Sequence, residues 1–243
     1  MPALPGSSTV EDFKMFKKMF NDPRFQPDQL KFYPTVVVKG SLLYSWWKQG
    51  KYIPYTDKQL QNLIIKCKNI VPKYVRIIRL IRDIPGESIE AGNKITNLRQ
   101  IIQDRGVICN CIRCREPRDK KLPNSLIKEI INYRASGGDE YFISFTSKDK
   151  AILYGFLRLR IDKDSPIAEA IIRELHVYGQ LVHLGSEKKI QHAGLGKKLM
   201  AIAEDIALKN NCKNIAVISG VGVRAYYRKL GYRLKNTYLL KRF

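Results

Sequence analysis

Acidic side chains are scarce in this chain of 243 residues: 22 Asp and Glu stand against 44 Lys and Arg, a formal charge of +22. Long hydrophobic runs are missing too. No stretch approaches the ~20 apolar residues that a membrane span needs, so a membrane helix is not expected. The opening Met1-Pro2-Ala3-Leu4-Pro5-Gly6 has neither a basic n-region nor an apolar h-region, which argues against a secretory signal. A reducing, cytoplasmic compartment is the expectation. Cysteine is sparse, with five in the chain, yet three fall within six residues. In a reducing compartment that spacing favours metal over disulfides.

What is abundant is positive charge, spread along the chain rather than gathered in a tail. A folded surface for a polyanion is expected, with nucleic acid first among candidates. Thirteen Tyr and two Trp supply rings that could stack among the cations. The length allows one or two domains with real cores.

The stretch with most chemistry in it is Gln191-His192-Ala193-Gly194-Leu195-Gly196-Lys197-Lys198-Leu199-Met200. It reads as a glycine loop opening into a helix. Two glycines let a ligand touch the main chain, and the helix start offers unpaired N–H groups and a positive dipole end that suit a phosphate. Lys197 and Lys198 sit where that dipole disfavours cations, a penalty that a bound polyphosphate would reverse. The same pattern also fits a tight turn with solvated lysines. Neither the P-loop nor the dinucleotide fingerprint is complete here. Strand-like runs flank the unit, Ile171 to Tyr178 before it and Ile215 to Ile218 after it.

Taken in order, Val10 to Phe20 reads as a helix stopped by Asn21-Asp22-Pro23. Tyr33 to Gly40 reads as a short buried strand. Ser41 caps a helix carrying Leu42, Leu43, Trp46 and Trp47, and Thr56 with Gln59 opens another helix to Cys67. Lys73 to Arg82 reads as a strand, and Asn97 to Asp104 as a helix. Only two good strands are visible before residue 106, too few for a parallel sheet by themselves. This region therefore reads as the tail of a larger α/β domain. Beyond a polar linker, Ile127 to Tyr133 is a strand or short helix. Glu140–Thr146 and Ala151–Arg160 form a hairpin about Asp149-Lys150. Val223 to Leu230 is a short helix, and two strands close the chain.

Cys109, Cys111 and Cys114 form C-x-C-x-x-C, whose thiolates can converge on one soft cation. Zinc needs a fourth ligand; Cys67, Cys212, one of three histidines or water are the candidates. Three free thiols are the alternative, although clustered exposed thiols invite oxidation. An iron–sulfur cluster lacks a fourth nearby cysteine. Arg113, Arg115 and Arg118 suggest a knuckle that shows cations to a phosphate backbone.

A hairpin, a strand, Q-x-x-G-x-G entering a helix, a strand, then Ala225-Tyr226-Tyr227-Arg228-Lys229-Leu230-Gly231-Tyr232 resembles the GNAT acetyltransferase family. Glu174 to Gly179, Gln191 to Gly196, Val217 to Arg224, Tyr33-Pro34-Thr35, Arg82 to Pro85 and the cysteine knuckle resemble, more closely, the family of Elongator catalytic subunits. The resemblance spans nearly the whole chain. It implies an α/β fold: a GNAT domain at 124–243, preceded by the truncated C-terminal part of a radical S-adenosylmethionine α/β barrel at 1–106 and a zinc knuckle and linker at 107–123. It implies tRNA, bound at its anticodon region, as partner, and carboxymethyl-type modification of the wobble uridine with acetyl-CoA as carbon source. S-adenosylmethionine and [4Fe–4S] belong to the full-length family proteins. The cluster's cysteine motif is not found in this sequence, so the chain reads as a piece or short form that does not generate a radical alone. Elongator-like subunits or a separate radical half are implied as further partners.

The same resemblance assigns roles. Glu174, Leu175, His176 and Val177 offer backbone to the pantetheine arm. Gln191, His192, Gly194, Leu195, Gly196 and Lys197 hold the pyrophosphate by main-chain N–H groups. Tyr227, with Tyr226 as alternate, protonates the departing CoA thiolate; a phenol near pKa 10 and a thiol near ~8.5 are close enough for that transfer. Glu174 could act as base, or simply face Arg173 or nearby lysines. His176 reads as a packed residue rather than a base. Two other functions fit less of the pattern: a zinc-containing N-acetyltransferase of proteins or small amines, and a tRNA-binding module with a degenerate acyl-CoA site.

Overall fold

The computed structural model describes residues 1–178 and 194–243. The chain divides into two compact units, Met1–Arg115 and Glu116–Phe243. No helix among the described residues is long and apolar enough to cross a membrane.

The first unit opens with α1 (Thr9–Asn21), whose Glu11 N–H is taken by the Ser8 hydroxyl. Asp12, buried on its inner side, accepts from the Ala3 amide, the Ser7 hydroxyl and the Tyr55 hydroxyl, which ties the chain start to the fold. Then come β1 (Gln29–Lys31), β2 (Val37–Val38), α2 (Leu42–Lys48), α3 (Asp57–Ile70), β3 (Arg76–Arg79), β4 (Ile89–Ala91), α4 (Leu98–Asp104) and the single turn α5 (Ile112–Arg115). Ser41 caps α2, and Thr56 with Gln59 makes a complete capping box on α3. β1 and β3 pair in parallel; β2 and β4 pair antiparallel.

The strands here are shorter than the sequence suggests. Tyr33 to Gly40 gives only a two-residue strand, because Pro34 has no N–H for a ladder, Thr35 donates to the Pro2 carbonyl, and Gly40 turns the chain at φ +83°. Lys73 to Arg82 gives four strand residues, since Val75 is still in a turn bonded to Pro72. Two further strands, β1 and β4, were not visible as periodic runs: three residues are too few to show an alternation.

The second unit is a seven-stranded sheet in the order β10-β11-β9-β8-β7-β6-β5. β5 (Ile127–Ala135), β6 (Gly138–Thr146), β7 (Leu153–Ile161) and β8 (Ala170–Val177) run as an antiparallel meander. The β5–β6 turn, Ser136-Gly137, has positive φ at both residues, the mirror-image turn that suits strand twist. α6 (Leu195–Lys209) crosses over to β9 (Asn214–Val217), which lies parallel to β8. α7 (Arg224–Arg228), β10 (Arg233–Lys235) and β11 (Tyr238–Arg242) complete the unit, with β11 antiparallel to both β9 and β10. Leu195, Leu199, Met200, Ala203 and Ala207 bury the apolar stripe of α6 against Leu157, Leu159, Ile172 and Val217. Gly155 on β7 permits this approach: a methyl there would lie 3.1 Å from Leu195 and 3.2 Å from the His176 carbonyl.

Candidate active site

Everything at the site follows from the path of β8. Along β7 its register runs Arg158 to Glu174 and then Leu159 to Ile172, so Arg173 is an extra residue, a β-bulge. Because strand side chains alternate, one added residue exchanges the faces beyond it. Leu175 and Val177 therefore pack with Ile172 on the α6 side. Glu174 and His176 fall on the other face. The four residues Glu174–Val177 thus share a backbone edge while their side chains part company.

On its other edge β8 pairs with β9 only at Ala170, Ile171 and Ile172. The Ile218 amide makes a last bond, 3.1 Å, to the Ile172 carbonyl. Among the described residues, Glu174 to Val177 have no ladder partner on the β9 side. Two parallel strands that separate beyond a bulge leave a notch edged by main-chain donors and acceptors, and α6 begins beside it.

Gly194 is the N-cap of α6 in the left-handed region, φ +68°, and gives no side chain to the cap. That conformation is what glycine is needed for here. Gly196 is a glycine for another reason. A methyl built there would sit 3.0 Å from the Tyr226 hydroxyl and 3.9 Å from Val177 Cγ2, so the ring tip of Tyr226 lies over it. Leu195 turns its side chain into the core, leaving its N–H as its only contribution to a ligand; Lys197 and Lys198 are exposed. Gln191 and His192 lie outside the described residues.

The two tyrosines differ. Tyr227 is buried between Tyr226 and Tyr232, with ring centroids at 5.1 and 6.2 Å, and belongs to the core cluster. The Tyr226 hydroxyl is buried with no hydrogen-bond partner among the described residues. Burial raises the pKa of both phenols above 10, for Tyr227 with a further contribution from Tyr226. Both are held in the protonated form. Ser219 Oγ, on the loop between β9 and α7, and Arg224 Nε, at the start of α7, are also buried without partners among the described residues. Buried polar atoms are rarely left unpaired in a fold. Three such atoms fall within residues 219–226. Ser219 and Arg224 both lie in the Val217–Arg224 stretch that carries the resemblance, but the sequence assigned neither of them a role.

Glu174 does not face Arg173. Its Oε2 accepts from Arg158 Nε at 2.9 Å, and Arg173 pairs instead with Glu140 at 2.8 Å. The bulge is the reason: it sets Glu174 opposite Arg158 in the ladder. Arg158 is 2 % exposed and lies 5.3 and 5.5 Å from the Phe142 and Phe156 rings. Glu174 thus balances a buried cation, which is a poor situation for a general base. His176 is exposed rather than packed away, although its ring stacks on Phe156 at 5.7 Å and meets Tyr178 at 4.3 Å.

In the first unit the sulfurs of Cys109, Cys111 and Cys114 lie within 4.8 Å of one another. Ile112 N–H bonds to the Val75 carbonyl and starts the turn that carries Cys114. Arg115 does not present its charge outward. It is 3 % exposed and donates to the carbonyls of Asn110, at 2.8 Å, and Lys73, at 2.6 Å, holding the loop closed. Lys68 Nζ and Arg99 Nη1 approach Cys114 Sγ at 3.6 and 3.8 Å. Thiol donors from Cys109 and Cys111, with those two cations, hold the Cys114 thiol far below its ordinary pKa; Cys109, the donor, is pushed up. Three convergent thiols, one of them thiolate, suit a soft tetrahedral cation. Cys67 and Cys212 do not join the group. Cys67 is a core thiol whose burial pushes it up to about 12, and Cys212 lies in the core of the second unit.

A bulged strand parting from its parallel neighbour beside a glycine-started helix defines the class of this domain. Residues 112–232 match the acetyltransferase (GNAT) family, and residues 27–106 match the Radical_SAM C-terminal domain. Over 99% of its length the chain is 45% identical to the tRNA uridine(34) acetyltransferase of Dehalococcoides mccartyi, covering 56% of that protein. It is 39% identical to Elongator complex protein 3 of Homo sapiens over 99% of this chain and 47% of that one. The structure of archaeal Methanocaldococcus infernus Elp3 with an N-terminal deletion matches at TM-score 0.88 and 40% identity, covering 100% of this chain and 62% of that chain. The chain is thus homologous over its whole length to Elongator complex protein 3 and the tRNA uridine(34) acetyltransferases, and it spans about half the length of the curated relatives it matches.

Proposed function

We propose that this chain is the acetyl-CoA-binding acyltransferase part of an enzyme that modifies the wobble uridine of tRNA. The observation that carries the reading is the parting of β8 from β9 beyond Ile172 with α6 opening beside the gap. The open edge of Glu174–Val177 would bind the amides of the pantetheine arm, as a further strand would. The first N–H groups of α6, with Gly194, Leu195, Gly196 and Lys197, would take the diphosphate. When water adds to the thioester carbonyl and the C–S bond breaks, a tyrosine hydroxyl gives its proton to the departing sulfur and regains one from the attacking water. Of the two phenols, Tyr226 is favoured because its hydroxyl is unpartnered among the described residues and lies at the helix start. Tyr227 supports it from the core.

Cys109, Cys111 and Cys114 would hold zinc, which here fastens the end of the first unit. We keep the division expected from the sequence: a radical-domain remnant to residue 106, the knuckle and linker to 123, and the acetyltransferase from 124. S-adenosylmethionine and [4Fe–4S] chemistry enters no step assigned to these residues.

The test is acetyl-CoA hydrolysis by the purified chain, with and without tRNA. Release of CoA that rises when tRNA is added supports the reading. Acetylation of a peptide amine, with no response to tRNA, would replace it with an ordinary N-acetyltransferase. Metal analysis should find one zinc per chain, lost on Cys109→Ser.

A further inference from the structure

The helix α2 packs on β2 with Leu43, Tyr44 and Trp47 half-buried. Its seven residues, Leu42–Lys48, include a tyrosine and two tryptophans, and none of the seven is buried. Leu42 is 69% exposed and Trp46 37%. Tyr44 and Trp47 meet at 5.8 Å, and Lys48 lies over both rings, 5.6 Å from the Tyr44 centroid and 4.9 Å from the Trp47 centroid. Tyr44 and Trp47 are only half-buried and Trp46 is exposed beside them, so ring faces remain open to an occupant.

Charge identifies the occupant. From Gln29 to Thr56 the sequence has no acidic residue, whereas Lys31, Lys39, Lys48 and Lys51 all fall in that span, and all four are exposed. A surface that buries against protein sheds lysine from its centre. Aromatic rings set among lysines are instead the make-up of surfaces that stack unpaired bases while tracking the phosphates. We propose that α2 is a stacking platform for unpaired RNA bases, Trp46 and Trp47 taking the base faces and Lys48 and Lys51 the adjoining phosphates. The inference rests on the tRNA reading above and specifies a place where the RNA is held.

Trp46 and Trp47 are the only tryptophans in the chain, so tryptophan emission reports on α2 alone. The full chain is titrated with an RNA stem-loop carrying an unpaired loop, with a fully paired RNA duplex, and with heparin. The stem-loop should quench the emission; the duplex and heparin should bind without quenching. Trp46→Ala and Trp47→Ala should each weaken stem-loop binding by roughly tenfold while leaving its salt dependence unchanged, and the Phe variants should retain most of the affinity. Lys48→Gln should lower the salt slope by about one. Stem-loop binding without quenching, equal quenching by heparin, or alanine variants that bind as the wild type would overturn the platform and leave the tRNA reading standing. Failure of the wild-type chain to bind any RNA would overturn both.

Discussion

Substituting Gly196 tests the site most directly, because fold and ligand respond in opposite directions. In Gly196→Ala the new methyl meets the Tyr226 hydroxyl at 3.0 Å. That atom is the tip of a rotatable side chain, so a shift of a few tenths of an ångström relieves the contact. Alanine in a helix gains roughly 0.5–1 kcal/mol over glycine, which offsets the strain. Gly196→Glu goes further. A carboxylate in the first turn favours the helix by about 0.3–1 kcal/mol, so the second unit should still fold. The same carboxylate would stand where a diphosphate is expected. At a separation of about 5 Å and an effective dielectric of about 20, each pair of unit charges repels by about 3 kcal/mol, more than a hundredfold in Kd. Thermal melts and calorimetric titration with CoA provide the readout. Gly196→Ala should bind CoA within a few-fold of wild type but hydrolyse acetyl-CoA more slowly, since Tyr226 is displaced. Gly196→Glu should melt near the wild-type temperature and lose CoA binding. A folded Gly196→Glu protein that binds CoA as tightly as wild type would refute the placement of the diphosphate at α6.

The remaining predictions concern neighbouring groups. Tyr226→Phe removes a buried hydroxyl that has no partner, so stability in urea should hold or rise by up to about 1 kcal/mol while acetyl-CoA turnover falls at least about tenfold; a larger fall for Tyr227→Phe would reverse the assignment. Glu174→Gln takes the charge from the partner of a nearly buried arginine and should cost about 1–3 kcal/mol in urea melts. Loss of turnover with no change in that melt would instead make Glu174 a base. At high pH the phenols of Tyr226, Tyr227 and Tyr232 matter, because burial raises all three. A group whose folded pKa lies above its unfolded value of about 10 contributes stability that is complete below that pH and lost as pH climbs through the folded value. Tyrosinate absorbance from these rings should therefore appear together with unfolding, above about pH 10; ionisation of all three in a fully folded protein would contradict their burial.

Which of these features could be read from residue order depends on how far each signal reaches. Ser41 and Thr56 with Gln59 mark helix starts because a cap is a contact between residues about three apart, and Gly194 marks another because a left-handed corner suits glycine. The stripe from Leu195 to Ala207 and the hairpin around Asp149-Lys150 are equally local, as is the spacing that brings three sulfurs together. Other features depend on partners distant in the chain. The bulge at Arg173 exists because β8 must register with β7 on one edge and leave β9 on the other. It chooses Arg158 over Arg173 for Glu174. Arg115, which looks like a cation for phosphate, is turned inward by the carbonyl of Lys73, 42 residues away. The Tyr226 ring over Gly196 joins two helices that the sequence shows only as separate runs. By itself the sequence determined the helices and the long strands of the second unit, the cysteine spacing and the glycine corner, since short-range propensity and capping act within a turn of chain. Tertiary structure alone decided which edge of β8 stays open and which phenol reaches the helix start, because both are set by packing between segments tens of residues apart.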